Sequence, residues 1–157
     1  MKRQINMIVV HCSATRSNTD YTVQQLYHDH VEVNHWRYIG YHFYIRRSGE
    51  VECTRPLDRM GAHARGYNAH SIGICYEGGL DNRYYPADTR TPEQKRAMAR
   101  LIVQLHQQFP GISKVLGHND LPGVQKVCPC FDATQLQGLL KIGSIDEVEQ
   151  LLEKGGA

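Results

Sequence analysis

The apolar run Met7-Ile8-Val9-Val10 constrains this chain most. Within Asn6 to Ser13 its β-branched centre reads as a buried strand ending at His11 and Cys12. A buried strand needs a sheet around it and helices over that sheet, and the remaining sequence supplies both. Gly40 to Arg47 alternates as a strand, Ser48-Gly49 forms a tight turn and Glu50 to Thr54 returns, which makes a hairpin. Ser71 to Tyr76 and Ser113 to Leu116 read as further strands. Thr22-Val23-Gln24-Gln25 has the spacing of a capping box and opens a helix over about 22–34. Thr91-Pro92-Glu93-Gln94 opens a second, whose stripe Met98, Leu101, Ile102, Leu105 and Phe109 is stopped by Pro110-Gly111. Asp132 caps a third, carrying Leu136, Leu139 and Leu140, and Ser144-Ile145-Asp146-Glu147 opens a short fourth through Leu152. Polar or Gly-rich connections fall at Thr15 to Asp20, Gly61 to His70 and Leu80 to Arg90. The expected fold class is α/β: a single domain with a central mixed β-sheet flanked by α-helices. It occupies residues 1–143, with 144–157 as a short C-terminal helical tail.

A chain of 157 residues is long enough to bury a normal core in one domain. Its 18 basic and 16 acidic residues leave a net charge of +2, which gives no basic footprint for nucleic acid. The segment Met1 to His11 is positively charged, but its apolar run is short and lacks a small-residue cleavage site. The expectations are synthesis in the cytoplasm without a classical signal peptide, no membrane span, and a monomer. The five cysteines, at 12, 53, 75, 128 and 130, are odd in number and form no paired knuckles, so reduced thiols are expected rather than a disulfide framework.

Three residues suggest chemistry. His11 ends the first strand, and His118 and Cys128 close the segment Gly117 to Pro129. Two imidazoles and one thiolate make a three-ligand zinc set with a fourth tetrahedral position left for water. Taken singly, each has a plainer reading: His11 as a hydrogen-bonded core histidine, Cys128 as a packed thiol. Tyr41 alone would be a strand aromatic and Lys126 a solvated loop lysine. His28, His30, His35, His70 and His106 have no companion spacing and read as surface or packing residues.

The blocks Val10-His11-Cys12-Ser13-Ala14-Thr15, Gly40-Tyr41-His42-Phe43, Gly61-Ala62-His63-Ala64-Arg65-Gly66-Tyr67-Asn68, Ser71-Ile72-Gly73-Ile74, and Gly117-His118 with Lys126-Val127-Cys128-Pro129 follow in a specific order. In that order the chain resembles the phage T7 lysozyme type of N-acetylmuramoyl-L-alanine amidase, within the wider zinc amidase and peptidoglycan-recognition-protein fold, over about residues 6–140. The resemblance implies one Zn2+ on His11, His118 and Cys128, catalytic roles for Tyr41 and Lys126, and a peptidoglycan or muropeptide substrate reached by release to the cell wall. Zinc would polarise the amide carbonyl and activate water. Lys126 would meet the developing oxyanion, and Tyr41 would orient water or pass a proton to the leaving amine. His63 and Arg65 are implied as a wall of the substrate groove, Arg65 offering a fork to a stem-peptide carboxylate. His42 is placed with them on the substrate side. Strand alternation turns it to the face opposite Tyr41, where hydrogen bonding behind the site and a structural role are both open.

Relatives that recycle muropeptides carry a glutamate where this chain has Cys75, and an aspartate as third ligand where it has Cys128. Both departures favour the phage type. Glu77, on the same side as Cys75, is an alternative auxiliary carboxylate, and Cys130 replaces an expected serine and reads as a packed bystander. Three other readings compete: a recognition module that binds without cutting, a hydrolase with Cys128 or Cys12 as nucleophile, and a zinc deaminase. The deaminase element Pro-Cys-x-x-Cys is absent.

Overall fold

The computed structural model describes residues 3–155; Met1 and Lys2 of the expected first-strand segment and the last two residues of the tail lie outside the described residues. The expected buried strand is β1 (Met7–Cys12), every residue of it buried. It is one of three inner strands of a five-stranded sheet ordered β4-β3-β5-β1-β7, with β3 Phe43–Ile45, β4 Val51–Cys53, β5 Ser71–Tyr76 and β7 Lys114–Gly117. β1 runs parallel to β5 and β7, β3 parallel to β5, and only the β3–β4 hairpin is antiparallel, so the sheet is mixed as expected.

One face of the sheet, carrying Ile8, Val10, Ile72, Ile74 and Ile45, packs under the helix α2 (Pro92–Gln108). Thr91 and Gln94 close the expected capping box there, each side chain accepting from the other's backbone N–H, at 3.0 and 2.9 Å. Gln94 is fully buried, and its amide also donates to the carbonyls of Ile45 and Glu77, which ties the helix start to the ends of β3 and β5. The opposite face carries Val9, His11, Tyr44 and Cys75, and there the cover is loops and the short α1 (Val23–Tyr27). That thinner layer leaves room for a site.

Several elements differ from expectation. Thr22 caps α1 through its hydroxyl, but after one turn the helix widens into a π-helix over His28–Val33, so no single α-helix spans 22–34. Ala133–Lys141 is a 3-10 helix, capped as expected by Asp132. The Thr15 to Asp20 loop contains β2 (Thr15–Arg16), which pairs with β6 (Gly79–Leu80) as a two-stranded ribbon. The last segment forms α3 (Ile145–Glu153), whose Val148 is fully buried in the main core. Among the described residues no helix is long and apolar enough to cross a membrane.

Candidate metal centre and active site

Strand register brings the two imidazoles together. β7 ends with Gly117 opposite Val10, so the next residue on each strand, His118 and His11, project from neighbouring strand ends, their ring centroids 4.6 Å apart. The loop after β7 then returns Cys128 to the same place. Asn119 N–H donates to the Cys128 carbonyl at 2.9 Å, and the buried Tyr76 hydroxyl donates to the carbonyl of Pro129 at 2.6 Å. The Cys12 backbone N–H points at the Cys128 sulfur, 3.1 Å away, a donor suited to a thiolate.

The donor atoms of His11, His118 and Cys128 all lie within 4.8 Å of one another. A tetrahedral ion with bonds of about 2.0–2.3 Å needs donors about 3.3–3.8 Å apart, so small side-chain movements close the set. Burial holds His11 well below the usual histidine range, helped by His63, His118 and Lys126. Burial, then the charge of Lys126, lowers His118 as well. Both rings are therefore neutral at neutral pH, the form that ligates. The residues fit a zinc ion in donor type, protonation and spacing.

Tyr41 lies just ahead of β3, with its ring 5.0 Å from that of His11. Burial and the neighbouring Cys75 raise its phenol well above its ordinary range, which keeps its proton on at working pH. Lys126 is exposed on the loop that delivers Cys128, and its charge helps to lower both imidazoles.

The expected groove wall is redrawn. Arg65 is exposed on its loop, but His63 and His42 are buried. His63 Nδ1 lies 2.8 Å from His11 Nε2, and its Nε2 lies 3.1 Å from the Ser71 hydroxyl. His42 accepts from Gly73 N–H at 3.1 Å through Nδ1 and donates to the Arg59 carbonyl at 2.8 Å through Nε2. Nor does His42 face away from Tyr41. Both precede β3, where strand alternation does not apply; Tyr41 meets His11, and His42 meets His63, which itself meets His11. Glu77 is no auxiliary carboxylate: it is buried and bonded to the Arg46 guanidinium and to the N–H groups of Tyr21 and Arg47. Cys130 packs against the core, its sulfur 3.9 Å from that of Cys12 as two free thiols.

His30, read as a surface or packing residue, packs beside the site. The π-helix sets its ring between Trp36 and Tyr41, at 4.6 and 5.4 Å, while its Nδ1 accepts from Gly40 N–H. No linear spacing announces this, because the widened turn that aims the ring has no simple sequence signature.

The chain is similar to known proteins over most of its length. The family described as N-acetylmuramoyl-L-alanine amidase matches residues 1–131. The endolysin of Klebsiella phage KP32 is 40% identical over 131 residues, covering 83% of this chain and 84% of that protein. The endolysin of Escherichia phage T7 is 37% identical over 131 residues, with the same coverage. Among solved structures, the N-acetylmuramoyl-L-alanine amidase LysC from Clostridium intestinale URNW superimposes with a TM-score of 0.69 at 30% identity, over 96% of this chain and 87% of LysC. On family, sequence and fold together, the chain belongs to the N-acetylmuramoyl-L-alanine amidases.

Proposed function

We propose that one zinc ion on His11, His118 and Cys128 serves this chain in cutting peptidoglycan at the amide between the lactyl group of N-acetylmuramic acid and the L-alanine of the stem peptide. The observation that carries the reading is the convergence of the three donors with Tyr41 and Lys126 at the ends of β1 and β7. Zinc, when bound there, supplies a Lewis acid that polarises the amide carbonyl and makes water a usable nucleophile near neutral pH. Lys126 holds positive charge beside the place where the carbonyl oxygen becomes an oxyanion. Tyr41 keeps its proton, so its hydroxyl can orient the attacking water and then donate towards the departing amine. With the Cys128 sulfur serving as a ligand and water as the nucleophile, no covalent acyl-enzyme would be needed. Arg65, exposed on the 61–70 loop, meets a carboxylate of the stem peptide. The protein acts as a monomer, made in the cytoplasm and released to the wall.

The test is incubation with purified peptidoglycan, with chelator and then with zinc restored, and identification of new amino termini by mass spectrometry. L-alanine termini that vanish with chelation and return with zinc are expected. Binding without cleavage by zinc-loaded protein would instead identify a recognition module. Cleavage indifferent to chelation would point to a cysteine nucleophile.

A further inference from the structure

We propose that His63 is a positioning residue: as acceptor for His11 Nε2–H, it leaves His11 Nδ1 unprotonated and aimed at the metal. The proposal rests on the zinc reading above. Two neutral imidazoles 2.8 Å apart share one proton between the facing nitrogens, and only two arrangements are possible. If His63 donated from Nδ1, His11 would carry its own proton on Nδ1 and could not ligate through that nitrogen. If His11 donates from Nε2, its Nδ1 is free and the His63 proton sits on Nε2, where the Ser71 hydroxyl accepts it at 3.1 Å. Only the second arrangement satisfies His11, His63 and a metal together.

The surroundings are built for this ring. A Cβ added to Gly61 would stand 2.4 Å from His63 Cδ2, and one added to Gly73 would stand 2.7 Å from Cγ and Cδ2, so two glycines form the slot in which the imidazole lies. From the main chain, Asn68 Oδ1 accepts from the N–H groups of both His63 and Ala64, at 2.9 Å each. Ser71 is fully buried and opens β5, a rigid anchor for the far end of the ring. The glycines and Asn68 that flank His63 in sequence thus serve the metal ligand from behind.

The experiment compares the full-length parent, His63→Leu and His63→Asn for zinc affinity, by competition with a chromogenic chelator, with thermal midpoints of the metal-free forms alongside. Loss of an outer hydrogen-bond partner of a ligand histidine weakens metal binding by about 10–100-fold. That loss is expected for Leu, which fills the slot without an acceptor. Asn, whose amide oxygen can accept the same N–H, is expected to recover much of it. Leu binding zinc as tightly as the parent, or Asn losing as much as Leu, would overturn the proposal. Imidazole nitrogen shifts of the metal-free parent decide the matter independently, even if a variant does not fold. A proton on Nε2 of both His11 and His63 supports it, and a proton on Nδ1 of either overturns it. A parent that takes up no zinc would instead strike the metal-centre reading, whatever the tautomers.

Discussion

In the proposed centre Cys128 would supply what neither imidazole can, an anionic sulfur ligand, and the Cys12 N–H lies 3.1 Å from that sulfur. A serine hydroxyl in its place stays protonated and binds zinc poorly, so Cys128→Ser is expected to lose stoichiometric zinc and with it at least about 100-fold in activity, checked by metal analysis beside the wall-cleavage assay. Lys126 sits differently. In the proposed reaction its exposed ammonium would act on charge that develops at the carbonyl oxygen, so Lys126→Met should keep its zinc while kcat falls by about 100–1,000-fold. A variant that lost metal instead would place Lys126 among the groups that maintain the site. At this scale the donors were legible because each stands in a block whose order survives in the sequence. The direction of His63 was not legible. A Gly-Ala-His loop looks like a surface wall until the strand behind it is known to offer Gly73 as an empty seat.

The elements show where pattern reading succeeds and where tertiary packing takes over. Helix α2 carries its own start signal, stripe and stop: of the stripe its spacing predicts, Met98, Leu101, Ile102 and Leu105 are buried and Phe109 is partly buried, and Gln94, Ala97, Ala99 and Val103 are buried besides. The expected helix over 22–34 has a good cap but polar residues at His28, Asp29, His30 and Glu32. After one turn the backbone yields to the site, widening so that His30 reaches Tyr41. The C-terminal helix is a third case. Read as a tail, it lays Val148 into the main core beside Leu152 and pairs Glu149 with Arg100 of α2. Its packing, which local pattern cannot reveal, gives a prediction: Val148→Ala should cost about 2 kcal/mol, read as a lower denaturant midpoint with unchanged slope. Zinc affinity should not move, since α3 packs on the face of the sheet away from the metal donors. The slot gives a fourth expectation. Gly73→Ala places a methyl against the His63 ring and should cost about 1–3 kcal/mol by overpacking, with weakened zinc binding as its second signature.

For the molecule as a whole, the cost of the site is a row of histidines kept neutral inside the fold, and this sets a pH dependence. Burial pushes His42 down to about 4 and His63 down to about 3, from an ordinary value of 6.5. Between those values and 6.5 the unfolded chain binds more protons than the native one, so stability rises with pH through this window. The contribution is therefore complete above about pH 6.5 and is lost as the pH falls towards the folded-state values. A single such ring gives up about 1.4 kcal/mol by about pH 5.5. The two rings meet at 5.9 Å, so protonating one further resists protonating the other and their losses do not simply add. Metal-free protein unfolded in urea at a series of pH values is the right probe, because zinc would add its own competition with protons at His11 and His118. The midpoint should hold level near pH 7–8 and fall as the pH drops below about 6.5, with His42→Gln reducing the slope. A midpoint unchanged down to pH 5 would mean that these imidazoles take up protons without hindrance, and hence that the row behind His11 is open to water rather than sealed under the loop of Gly61 to His70.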